Sequence, residues 1–273
     1  MLKQTTGPLA LWRHRSLLAA LLQRELRSRY SGSVAGALWL LIHPLFLLGL
    51  YALVFGLIFQ VRIPQLPPDI PYVLFIGVVL WPWLAFQEAL VRGTMAVQNH
   101  AALVKKVAFE HELLVYTSTL ASFIVHGTGY AIVLSVLGLL GYSLQWQGVL
   151  IVPWLMVVLW VIASALALVF AALQVFVRDV EQVLGQVMAL VFYATPILYP
   201  ISMLPQALQK WIAWNPLGHI TEPIRQVWLV PHGYEDLIAA WPTAVMTMTL
   251  CAVLWWGCLK IFHRLSPYFE DML

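Results

Sequence analysis

LLVYTSTLASFIVHGTGYAIVLSVLGLLGYSLQWQGVLIVPWLMVVLWVIASALALVFAALQVFV, residues Leu113 to Val177, is 65 residues without one formal charge. One helical crossing of a bilayer takes ~20 apolar residues. The stretch is long enough for two crossings, and Gly141-Tyr142-Ser143 with Gly148 marks a turn between them. The chain therefore reads as an integral membrane protein.

The rest of the chain agrees. It has 273 residues, is 62% hydrophobic and 10% charged, against ~25% charged in a soluble domain. Mean hydropathy is +0.84. Thirteen Trp and ten Tyr suit the headgroup level, where amphipathic rings settle. Arg13, Arg15, Arg24, Arg27 and Arg29 interrupt the first 30 residues, so no cleavable signal peptide is expected. The same basic run reads as a topogenic signal rather than a nucleic-acid patch. Cys251 and Cys258 lie ~10 Å apart along a helix, too far for a disulfide. No Cys/His metal pattern appears.

The pattern predicts an all-α protein with six spans: Val34 to Gln60, Tyr72 to Val91 broken near Pro82, Leu114 to Tyr142, Val149 to Phe176, Val180 to Tyr199, and Ala240 to Phe262. With both termini in the cytoplasm, twelve Lys/Arg fall on the inner side. Only Arg62, Lys210 and Arg225 fall on the outer side. One membrane domain, 1–273, is expected: an amphipathic segment in 1–33, five spans in 34–199, an outer region in 200–236, and the last span and tail in 237–273. Leu204, Leu208, Trp211, Ile212 and Trp214 predict short interfacial helices in that outer region.

Few residues are left for chemistry. Leu11 to Tyr30 places Leu17, Leu18, Leu21, Leu22 and Leu26 largely on one face, with Arg24, Glu25, Arg27 and Arg29 following. Such a helix lies in the inner interface, as an anchor or as a docking surface. The connector Gln98 to Glu112 is short and of mixed charge (Lys105, Lys106, Glu110, Glu112). It serves as a solvated link or as a helix offered to a partner. Arg178, Asp179 and Glu181 fit a cytoplasmic turn, which spares three charges the cost of mid-bilayer burial. Glu88 and Arg92, four apart at the inner end of span two, can pair. His43, Gln87, His126 and Gln174 are the main polar residues inside spans, the histidines expected to be satisfied by polar neighbours. No acid lies near the middle of a span, which argues against ion-coupled transport. No phosphate-cradling Gly-x-x-x-x-Gly-Lys-Ser/Thr is present, so the chain does not hold ATP itself. Tyr51, Phe55 and Phe59, then Trp81, Trp83 and Phe86, then Phe192, Tyr193 and Tyr199, form aromatic groups. They serve as packing and interfacial belt, or as a pore lining on which sugars slide. Gly32-Ser-Val-Ala-Gly36 matches a small-residue packing motif.

Four motifs in order resemble one family. They are Arg24-Glu-Leu-Arg-Ser-Arg-Tyr-Ser-Gly-Ser-Val-Ala-Gly-Ala-Leu-Trp39 with His43-Pro44; Leu103-Val-Lys-Lys-Val-Ala-Phe-Glu-His-Glu112; Phe176-Val-Arg-Asp-Val-Glu181 running to Thr195-Pro-Ile-Leu-Tyr-Pro200; and Trp214-Asn-Pro-Leu-Gly218 with Pro223-Ile-Arg225. Nearly the whole chain resembles the permease subunit of type-2 ABC exporters for polysaccharides and polyol phosphates, a group that includes O-antigen (Wzm-like), capsule and teichoic acid exporters. It departs from the family at Phe109-Glu110, where the family often has Pro after the Phe.

The resemblance implies a homodimer in the bacterial inner membrane with two separate ATPase subunits below it. ATP and Mg would be on those subunits, with no cofactor or metal on this chain. It implies an interface helix bearing Arg24, Glu25, Arg27 and Arg29. It implies a coupling helix within Asn99 to Glu112, carrying Lys105, Lys106, Phe109 and Glu110. Short re-entrant outer helices would involve Trp211, Trp214, Asn215 and Pro216. The substrate it implies is a lipid-linked polysaccharide, O-antigen before capsule. On the pore reading of the aromatics, that glycan moves past Tyr51, Phe55, Trp81, Trp83, Phe86, Tyr193 and Tyr199. Two rivals stay open: a permease for a small lipid or drug, and a membrane scaffold without transport.

Overall fold

The computed structural model describes residues 14–30, 36–61, 63, 70–107, 109–142, 144–212, 215–231, 233–235 and 241–273. Among these the chain is helical and has no strand. The helices are α1 (Arg15–Tyr30), α2 (Trp39–Tyr51), α3 (Tyr72–Asn99), α4 (Ala101–Val104), α5 (Glu112–Leu139), α6 (Gly148–Phe176), α7 (Val180–Ala194), α8 (Gln206–Ile212), α9 (Gly218–Leu229), α10 (Trp241–Leu265) and α11 (Phe269–Met272). α2 continues as a π-helix over Ala52–Ile58 and ends at Gln60, whose φ is 49°. Among the described residues, five helical segments are long and apolar enough to cross a membrane, and Val180–Ala194 is a shorter apolar helix.

α3 is the centre of the bundle: α5, α6, α9, α2 and α7 all pack on it. Most of its apolar residues are buried by protein, from Phe75 and Ile76 to Ala89 and Val97. That burial corrects the expected break near Pro82, because the helix runs unbroken from Tyr72 to Asn99 with the proline inside it. A proline removes one backbone hydrogen bond, and neighbouring helices make the loss tolerable in a membrane bundle. α3 also runs eight residues beyond the expected end at Val91.

Small residues allow the close approach. Ala85, Ala89 and Gly93 recur every four residues on α3, as do Ala163, Ala167 and Ala171 on α6, and all six are buried. A Cβ at Gly93 would stand 2.7 Å from the Ala167 Cβ and 2.8 Å from Thr119 Cγ2. This is the small-residue packing that brings helices together in lipid. The motif proposed at Gly32 to Gly36 falls outside the described residues except for Gly36. There the glycine serves conformation, with φ +47° and no described atom within 4 Å of a Cβ.

Span five is shorter than expected. α7 stops at Ala194, and Thr195 is extended (φ −99°, ψ 136°), because Pro196 disfavours helical geometry in the residue before it. Fifteen residues reach only ~22 Å. The chain then turns through Thr195 to Pro200 into a 3-10 turn, α8 and α9, so short helices do form in the expected outer region. Cys251 and Cys258 are free and buried.

Contacts divide the loops between two ends. His14 meets Glu110, His263 meets Glu112 and Phe269 meets Phe176, which gathers α1, the 98–112 connector, the 177–181 turn and the C-terminal segment at one end. At the opposite end the Gln145 N–H donates to the Trp228 carbonyl (3.1 Å), and the Tyr72 hydroxyl donates to the Leu198 carbonyl.

Candidate functional site

A cavity of about 870 Å³ is bounded mainly by α2, α3 and α7. Its lining changes character along its length. One part is aromatic: Tyr51, Trp83, Phe192 and Tyr193. Phe192 is the hub, 5.8 Å from the Tyr51 ring and near-parallel to it, 5.6 Å from Trp83 and 5.2 Å from Tyr193. The other part is polar and charged: Glu25, Gln87, Glu88, Arg92, Asn99, His100 and Glu181. His43 and His126 also line it.

The predicted aromatics separate. Tyr51, Trp83 and Tyr193 line the cavity. Phe55 packs between Tyr51 and Tyr72, 6.4 and 6.0 Å away, outside the lining. Trp81 is fully buried and sits where Gly129 leaves room for its indole, facing protein and not the cavity. Phe86 is buried behind Trp83 at 6.0 Å. Tyr199 donates its hydroxyl to the Tyr193 carbonyl at 2.6 Å, bracing that ring's backbone.

Beside the charged part, a network joins α1, α3 and α5. Arg29 is 4% exposed and donates to Glu25 and Glu88 carboxylates (3.2 and 2.9 Å), to the Ser118 carbonyl (3.0 Å) and to Ser122 Oγ (3.1 Å). Glu88 also receives Arg92 Nε at 2.6 Å and lies 2.7 Å from His126 Nε2. Burial pushes the Arg29 pKa down, while the Glu88 and Glu25 carboxylates oppose that shift. The expected Glu88–Arg92 pair is present. Its position is corrected, because the longer α3 puts Glu88 inside the helix and not at its end. Arg24 and Arg27 are exposed on α1.

At the connector, Lys105 and Lys106 are exposed in the turn after α4. Phe109 is half-buried, edge-on to His111 at 5.3 Å. Glu110 Oε2 lies 2.8 Å from His14 Nε2. Glu112, 3% exposed, lies 2.7 Å from His263 Nε2. Arg178 and Asp179 are exposed in the neighbouring turn. Gln174 fixes that turn: its amide donates to Gln98 Oε1 (3.0 Å) and the Arg178 carbonyl (2.9 Å), and its oxygen accepts the Glu181 N–H (2.9 Å). His14, His263, Phe269 and Gln174 are site-forming residues that sequence reasoning did not assign. Only Gln174 carried a signal, as a rare polar residue in an apolar span.

At the far end, Asn215 donates to the Ala194 carbonyl (3.1 Å) and Thr195 Oγ1 (2.9 Å), and its oxygen accepts the Leu217 N–H. It thereby ties the end of α7 to the start of α9. Arg225, 2% exposed, holds the same turn from α9. It donates to the Pro196 and Ile197 carbonyls, pairs with Glu222 at 2.7 Å and stacks 3.7 Å over Phe75. Trp211 and Pro216 are exposed, and Trp214 lies outside the described residues. No cluster of three His, Cys, Asp or Glu fit for a metal ion is present among the described residues.

Residues 16–229 match the family described as ABC-2 type transporter. The chain is 30% identical to an O-antigen export system permease protein RfbA of Myxococcus xanthus, over 96% of this chain and 97% of that protein. It is 26% identical to a protein of the same description from Klebsiella pneumoniae, over 94% and 95%. It is 22% identical to the polysialic acid transport protein KpsM of Escherichia coli, over 76% and 79%.

Proposed function

Because this chain belongs to the ABC-2 type transporter family and is a permease of an exporter of that type, we propose that it carries a lipid-linked polysaccharide, O-antigen in the first place, across the bacterial inner membrane. Six crossings, α7 among them, put both termini in the cytoplasm. A second copy closes the cavity, and two ATPase subunits holding ATP and Mg seat on the connector from below. α1 is the interface helix, and α8 and α9 re-enter the outer leaflet.

The observation that carries this reading is the cavity lined by Tyr51, Trp83, Phe192 and Tyr193. Flat rings give a sugar chain apolar faces without fixing one register, which suits a polymer that must slide. Its walls are incomplete in one chain. α2 exposes Ile42, Phe46 and Leu50, and α7 exposes Val183, Val187 and Leu190, apolar faces suited to a second copy. The relatives described as O-antigen permeases match at higher identity and coverage than the polysialic acid transporter, which favours O-antigen over capsule. The mixed polar and aromatic lining disfavours a small lipid or drug.

The test is reconstitution of the full chain with its ATPase subunit in proteoliposomes. Lipid-linked O-antigen should stimulate ATP hydrolysis and cross the bilayer. Reversing Lys105 and Lys106 to Glu should abolish both while the chain still inserts. Indifference of the complex to the glycan would overturn the substrate, and unchanged export by the reversed chain would overturn the role of those lysines.

A further inference from the structure

Phe269 sits on α11, a helix of only four residues, yet it is fully buried. Its ring stands 6.0 Å from His111 at the end of the connector, 6.3 Å from Phe176 at the end of α6, and 5.4 Å from Phe262 on α10. One ring thus touches the connector and the last residue of the helix leading into the 177–181 turn. α11, which carries it, also packs on α4 and α6. One turn before the chain leaves α10, His263 Nε2 lies 2.7 Å from Glu112 Oε2, and Glu112 opens α5. The carboxylate sits in the first turn of that helix, where negative charge is favoured.

These contacts are more than ordinary packing. The connector has few anchors of its own: α4 is one turn long, and the backbone is irregular over Lys105 to Val107 and Phe109 to His111. Glu110, His111 and Glu112 are each held by residues distant in sequence. The C-terminal segment supplies two of the three holds, at His111 and Glu112.

We propose that the segment from Phe262 to Phe269 is a clamp that positions the connector against the 177–181 turn. Phe269 is its central positioning residue, and the His263–Glu112 pair is its second point. The proposal rests on the reading of the connector as the seat of the ATPase subunit. Movement at that seat reaches α5, α6 and α10 together because one buried ring joins them. With the ring removed, the connector follows the ATPase subunit while α6 and α10 lag, so hydrolysis proceeds with less transport.

The experiment uses the full chain with its ATPase subunit, comparing Phe269→Ala, Phe269→Leu and His263→Ala. A Lys106→Cys cross-link to the ATPase subunit reports seating, and glycan exported per ATP hydrolysed reports coupling. Phe269→Ala should keep the cross-link and lower export about tenfold, within the range over which single residues between two sites change their coupling, while hydrolysis falls less than about twofold. Phe269→Leu should restore most of the ratio, and His263→Ala should fall between. An unchanged ratio in Phe269→Ala overturns the clamp. Should Phe269→Ala fail to assemble, the ratio in His263→Ala decides in the same way. Absence of the cross-link in the otherwise unaltered chain overturns the seat reading instead.

Discussion

Arg29 Nη1 lies 2.9 Å from Glu88 Oε1, joining residues 59 positions apart and fixing α1 against α3. Removing one member of a buried pair leaves the other charge uncompensated, which costs ~3–5 kcal/mol when both are fully buried. The Glu88 side chain is 30% exposed and keeps Arg92 and His126 as partners, so Arg29→Ala should cost less than that, about 2 kcal/mol, the scale of lost hydrogen bonds to a charged group. Thermal unfolding in detergent measures it. The double variant Arg29→Ala with Glu88→Gln should lose clearly less than the two single losses added. Strict additivity would mean that the two residues act independently.

Tyr51 and Trp83 both rest on Phe192 and both face the cavity. Replacing the two together by Ala should lower glycan export far more than co-purification with the ATPase subunit. Replacing them by Phe, which keeps a flat apolar ring, should preserve most of the export. If assembly and export fell together, the rings would be serving packing alone.

His111 gives the connector a pH dependence. Burial pushes its pKa down, while Glu270 and Glu112 pull the other way. A histidine with a folded-state pKa below its unfolded value of ~6.5 contributes its full stability above that value and loses it as pH falls through the folded value. Amide exchange across residues 101–112, corrected for intrinsic rate, should therefore be faster at acidic pH than at neutral pH. His111→Gln should shrink the difference. Equal acceleration in both proteins would remove His111 as the cause.

The membrane class and most of the helices were legible in residue chemistry. The uncharged run from Leu113 to Val177 predicted a helix from Val149 to Phe176, and α6 runs from Gly148 to Phe176. Two local rules correct the pattern. Pro196 ends α7 by restricting Thr195. Trp81 and Trp83 lie two residues apart, ~200° around a helix, so both could not face one cavity. Other features were not local. The α3 helix carries Glu88 beyond the apolar run, and its partners Arg29 and His126 come from α1 and α5. No periodicity announces that Phe269 reaches His111 and Phe176. Pro82 sits in a helix because the surrounding bundle compensates for the lost hydrogen bond, a tertiary effect that the sequence pattern does not contain.

Export of O-antigen by this chain is tested most directly by deletion of its gene. Surface O-antigen should disappear while its lipid-linked form accumulates inside the cell, and the intact gene should restore the surface polymer. Unchanged surface O-antigen, or loss of a capsule in its place, would contradict the account.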